Sequence, residues 1–218
     1  MKRRDFSNQL LGTGLAVGLT AAAWSSAAQA QGVGFIEGKD YLRLGTPLAV
    51  PPGKIEVIDF FWYGCPHCHV FEPALEAWAK KLAPDVAFRR VPVMFREDPH
   101  VAHARLYFAI ETLGLIDSVH RKVFAAIHNE KAMLSKPADI SAFMTKNGVD
   151  GAKVVDTMGS FAVQTKLLKA KQTAEAFKLD GVPALGIQGR FVTSGAIAGT
   201  PERALAVASE LIQRSRKA

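Results

Sequence analysis

The chain holds two cysteines, Cys65 and Cys68, separated by Pro66 and His67. With one pair of thiols it can build neither a disulfide framework nor a four-cysteine zinc site. Two sulfurs three positions apart can instead close into a small disulfide ring and reopen. Pro66 suits the first position of a helix, where its missing N–H is no loss. That places the Cys65 sulfur at the helix N-cap, where unpaired backbone N–H groups and the positive end of the helix dipole favour a thiolate. Cys68 falls one turn further on, so Cys65 reads as the exposed attacking thiol and Cys68 as its buried partner. His67 can add positive charge beside the Cys65 sulfur. Stabilising the thiolate favours the open, reduced pair, at about 1.4 kcal/mol per pKa unit. About 30 mV of reduction potential corresponds to the same energy, so such a pair is a donor of disulfides.

Two other chemistries use similar spacing. Cys65-x-x-Cys68-His69 is the string that attaches c-type haem, with His69 and then Met94 or Met133 as axial ligands. His100 and His103 lie three apart and could join the cysteines around zinc, although this spacing matches no common zinc module. Histidines at 100, 103, 120 and 128 read more simply as surface or packing residues. A binding-only role leaves the cysteine pair without a purpose.

Helix and strand patterns then supply a frame. Ile55–Trp62 is a β-branched and aromatic run suited to a central strand covered on both faces. Asp59 interrupts it, and an unpaired buried carboxyl is costly; relaying protons and bonding to nearby backbone are its two readings. Phe61 reads as core, while Trp62 and Tyr63 are candidates for an apolar rim. After the cysteines, Phe71, Leu75, Trp78 and Leu82 give the helix one buried stripe. Val86–Val93 reads as the next strand. Helices are expected at 100–113, 116–128, 139–147, 151–158 and 161–177, followed by a hairpin of 184–187 with 190–193. Thr200-Pro201-Glu202 opens a last helix. The order is βαβ, a helical insertion, then ββα.

Residues 1–30 combine Lys2-Arg3-Arg4, an apolar stretch from Leu10 to Trp24 and Ala28-Gln29-Ala30. These are the three parts of a secretory signal, with cleavage expected after Ala30. Arg3-Arg4-x-Phe6 also resembles a twin-arginine signal. A retained anchor is the alternative, and it too would export the remainder. Export leads to an oxidising compartment, the bacterial periplasm. Three of the 27 basic and one of the 20 acidic residues lie in the first five positions, which leaves +5 from Gln31 onward. The positive residues are scattered and not interleaved with aromatics, so no nucleic-acid footprint emerges.

The strand ending at Trp62, Cys65-Pro66-His67-Cys68 at a helix start, the helical insertion and Gly181-Val182-Pro183 before the hairpin together resemble the DsbA-type thiol:disulfide oxidoreductases of the periplasm. The resemblance spans residues 40–218. It implies an α/β thioredoxin fold, a central mixed β-sheet flanked by helices, with an inserted α-helical domain. The corresponding segments are 35–97, 98–165 and 166–218, the first and last forming the thioredoxin-like part. It also implies Cys65 as nucleophile, Cys68 as its partner, Asp59 as an acid near the buried cysteine, and Pro183 as a cis-proline. The family's best-known member has Glu where this chain has the shorter Asp59. A cis bond before Pro183 would leave the Val182 backbone free to pair with an extended client strand, whereas an ordinary trans turn is the alternative for an isolated Gly-Val-Pro.

The resemblance further implies reduced, newly exported proteins as clients and a membrane, quinone-linked reoxidase of the DsbB type. No cofactor beyond the Cys65–Cys68 pair is expected. Isomerases and reductants of this broad group are the closest competitors. Such isomerases are dimers with a separate N-terminal domain, for which the residues before the first long strand leave no room, so a monomeric oxidase is expected.

Overall fold

The computed structural model describes residues 34–217. The expected export signal and its cleavage site lie outside the described residues.

The short strand β1 (Leu42–Arg43) leads to β2 (Ile55–Phe61), α1 (Pro66–Ala79) and β3 (Val86–Pro92). Five helices follow: α2 (His100–Thr112), α3 (Ile116–His128), α4 (Pro137–Lys146), α5 (Gly151–Met158) and α6 (Phe161–Ala176). The chain closes with β4 (Ala184–Ile187), β5 (Phe191–Thr193), α7 (Gly195–Ala198) and α8 (Pro201–Arg216). The sheet order is β1-β5-β4-β2-β3, with β2 parallel to β3 and antiparallel to β4.

Every residue of β2 is buried, as its predominantly apolar pattern requires of a strand covered on both faces. Of its two carboxyl groups, Glu56 meets the Arg89 guanidinium at 2.9 Å. On one face Val57 packs with Phe71 and Leu75 of α1 and with Val207, Ala208 and Leu211 of α8. On the other, Ile58 and Phe60 share a core with Phe124, Ile140, Met144 and Val154 from the helical insertion. The insertion therefore has no core of its own separate from the sheet. Helix α6 runs unbroken across position 165, where the insertion was expected to end.

Gly186 in β4 is the residue that lets this second face close. A Cβ there would meet the Phe177 and Phe60 rings within 3 Å, closer than real side chains approach.

Local signals account for most helix starts. Asp150, Ser160 and Thr200 each accept a hydrogen bond from the backbone N–H three residues on. Helix α4 begins two residues earlier than expected, with Pro137 at its first position. The one-turn helix α7, capped by Ser194 and ended by Gly199 at φ 96°, was not anticipated; four residues are too few for periodicity to register. Among the described residues no helix is long and apolar enough to cross a membrane.

Candidate active site

Strand β2 delivers Trp62-Tyr63-Gly64 to the start of α1, and Cys65 is the N-cap of that helix. Its sulfur accepts the Cys68 backbone N–H at 3.4 Å. Both cysteines are thiols, and both are buried, at 7 % exposure for Cys65 and 3 % for Cys68. The expectation that Cys65 stands exposed is thus corrected. The Val182–Pro183 loop covers it, and its thiol donates to the Val182 carbonyl at 3.4 Å.

The two sulfurs are electrostatically unlike. A hydrogen bond from the Cys68 side chain is the largest influence on Cys65; backbone N–H groups of Cys68 and His67 and the His67 charge add to it. Burial works against these, and the thiol settles at about 6. Cys68 moves strongly the other way, first because burial penalises its anion and then because Cys65 takes its proton as a donor. His67 is exposed, and its charge is the smallest of the named influences on Cys65.

The Val182–Pro183 peptide is cis, as the family resemblance implied. Trp62 is half-buried, and its ring lies directly over Gly64, where any Cβ would collide with it. The indole also stacks on His100, with centroids 3.9 Å apart and planes at 6°. Tyr63, expected with Trp62 as a rim candidate, is instead core at 1 % exposure.

Asp59 bonds to no backbone group, and neither carboxylate oxygen has a hydrogen-bond partner. The Arg90 Nε lies 3.8 Å away, too far for a hydrogen bond. Burial, and then the Glu72 charge, raises the Asp59 carboxyl to about 8 despite Arg90. Arg90 gives its short bond, 2.5 Å, to Glu72. His120 Nε2 lies 3.5 Å from the same Glu72 oxygen, while its Nδ1 meets the Tyr63 hydroxyl at 2.7 Å. Asp59, Arg90, Glu72, His120 and Tyr63 thus form one buried polar cluster beneath the cysteines.

Sequence reasoning singled out Asp59, took Tyr63 as a rim candidate and His120 as a surface or packing residue, and missed Arg90 and Glu72. Asp59 and Arg90 are register partners across β2 and β3, and Glu72 sits one turn beyond Cys68 on α1. The expected reading of His100 and His120 as packing residues holds for their burial, though not for their contacts with Trp62 and Tyr63. His103 Nε2–H donates to the Met133 carbonyl, 2.9 Å away, and the His69 ring stacks on His128. Among the described residues, neither these five rings nor the cysteines form a cluster of three or more groups that could hold a metal ion.

Comparison with known proteins decides the family. A model described as the DSBA-like thioredoxin domain matches residues 56–201. The chain belongs to the DSBA-like thioredoxin family. A Pseudomonas aeruginosa protein named thiol:disulfide interchange protein DsbA is 40 % identical over 199 residues, 91 % of this chain and 93 % of that one. A Burkholderia cepacia protein of the same name is 40 % identical, covering 89 % and 88 %. The crystal structure of Pseudomonas aeruginosa DsbA superposes with a TM-score of 0.81 at 39 % identity, covering 84 % of this chain and 95 % of that one. Membership in the DsbA family makes the chain a thiol:disulfide oxidoreductase, with Cys65 and Cys68 as the thiol pair present for that chemistry.

Proposed function

We propose that the chain is an oxidase that passes the Cys65–Cys68 disulfide to reduced client proteins in the periplasm. The carrying observation is the unequal pair, a Cys65 thiol lowered to about 6 beside a Cys68 thiol pushed far up. A client thiolate attacks the Cys65 sulfur of the disulfide, forming a mixed disulfide while the Cys68 sulfur leaves with the bond's electron pair. Cys68 then takes a proton, and the Asp59 carboxyl, whose charge is felt at the Cys68 sulfur, is the group proposed to supply one. The client's second thiolate attacks its own linked sulfur and expels Cys65. The low pKa makes Cys65 a good leaving group, because exchange is faster the more acidic the departing thiol. The client loses two electrons and gains a disulfide; the protein is left as a dithiol.

Backbone pairing at Val182 supports broad client choice, since an extended chain added to an exposed edge is recognised largely through its main chain. Release of Cys65 to the thiolate removes the donor now held by the Val182 carbonyl and frees that oxygen for a client N–H. The Trp62 indole beside Gly64 is proposed as an apolar wall of the same site. The redox pair is proposed to need no cofactor. A DsbB-type membrane protein would restore the disulfide, and the monomer would act alone on each client. The leader-like residues 1–30 support export.

Equilibration with glutathione buffers tests the direction. The expected potential is more oxidising than about −180 mV, the level of protein disulfide isomerase, while a value near −270 mV, that of thioredoxin, would reverse the assignment to a reductant.

A further inference from the structure

A cleft of about 690 Å³ opens between the loop after β3 and the C-terminal half of α6. Met94, Phe95, Val101 and Leu179 give it an apolar floor. Arg96, Lys171 and Lys178 stand on its rim against Glu97 and Glu175. No ion pair among the described residues engages any of these five charges.

Two routes join this cleft to the reactive sulfur. Leu179, on its wall, is three residues before Val182, so their Cα atoms are at most about 11 Å apart. The Val182 carbonyl in turn lies 3.4 Å from the Cys65 sulfur. On the opposite wall the Phe95 ring is 6.5 Å from the His100 ring, which stacks on Trp62 over Gly64. An extended chain advances about 3.3 Å per residue. A strand paired at Val182 and running back along the Leu179 side therefore reaches the cleft about three to five positions from its cysteine.

We propose that this cleft is a client subsite, taking a large apolar side chain with acidic neighbours from one flank of the reacting cysteine. The inference rests on the Val182 strand pairing described above. The apolar floor gives the anchor a place to leave water, and the three-to-two excess of unpaired cations favours acidic neighbours over basic ones. The subsite would give the enzyme a preference among unfolded chains that main-chain pairing alone does not supply.

The test uses short peptides with one cysteine and measures their rates of mixed-disulfide formation with the oxidised protein. One carries only Gly and Ser around the cysteine; two others carry Asp-Phe-Asp about four positions before or after it. One flank, and not the other, is expected to react about tenfold faster than the Gly/Ser peptide, the effect of partly burying one aromatic ring. The double variant Arg96→Glu/Lys171→Glu is expected to lose that gain and to transfer it to a Lys-Phe-Lys peptide. Equal rates for all peptides, an equal gain on both flanks, or a gain that survives the double variant would overturn the subsite. Dithiothreitol serves as the internal control because it cannot span the distance to the cleft. Its oxidation at the same rate by both proteins is expected, and failure of either protein to oxidise it would indict the exchange chemistry instead of the subsite.

Discussion

Cys65→Ser is expected to reduce disulfide transfer to the uncatalysed rate, whereas Cys68→Ser is expected to accumulate a covalent complex with the client. The asymmetry follows from the site. A thiol held at about 6 is about 90 % ionised at pH 7, against a few per cent for an ordinary cysteine. Serine cannot take part in exchange, so removing Cys65 removes attacker and leaving group together. With Cys68 replaced, Cys65 still reacts with an oxidised client or with a peptide activated as a mixed disulfide, and no neighbouring sulfur is left to resolve the product. Mass spectrometry under non-reducing conditions distinguishes the two outcomes. A trapped complex on Cys68 in the Cys65→Ser protein, with comparable yield, would exchange their assigned roles.

Asp59→Asn is expected to change stability and rate in opposite directions. In the folded chain the Asp59 carboxyl titrates at about 8, well above its usual 3.8. The folded state thus holds a proton that the unfolded chain releases across pH 4 to 8. Stability from this group is full below about 4 and is lost as pH rises through about 8. The full shift sets a ceiling near 5 kcal/mol at pH 8. An unbonded Asn amide in the same place costs about 1–3 kcal/mol, so the variant should gain about 2 kcal/mol at pH 8 and lose the slope between pH 5 and 8. Arg90→Leu, by contrast, leaves Glu72 and Asp59 without their cation and should cost about 3–5 kcal/mol. If Asp59 supplies the Cys68 proton, Asp59→Asn should also slow disulfide transfer about a hundredfold. Urea unfolding at pH 5 and 8 and stopped-flow transfer read the two effects separately. An unaltered stability slope would contradict the raised carboxyl, and an unaltered rate would remove the relay.

The elements that carry the cysteines were legible because their periods are unambiguous. Ile55–Phe61 has no polar face, Pro66 marks a helix start after an N-capping sulfur, and α3 and α5 have the expected limits. The polar cluster was not legible, for a physical reason. Asp59 and Arg90 are 31 positions apart and meet only through the parallel register of β2 and β3, which neither strand declares alone. Tyr63 reads as a rim residue beside Trp62, yet its hydroxyl finds His120 from the helical insertion, and that contact buries it. Trp62 folds back over Gly64 because the glycine leaves room and His100 offers a flat face, a choice of rotamer that no pattern of apolar residues encodes. Even the burial of Cys65 depends on the distant Val182–Pro183 loop closing above it.

Titration of the reduced protein's thiolate absorbance in the ultraviolet tests the central claim most directly. A single transition near pH 6 is expected, lost in Cys65→Ser and retained in Cys68→Ser at a higher pH because the Cys68 hydrogen bond is weakened. A transition at or above pH 8.5, the ordinary cysteine range, would contradict the stabilised Cys65 anion and with it the direction of disulfide transfer.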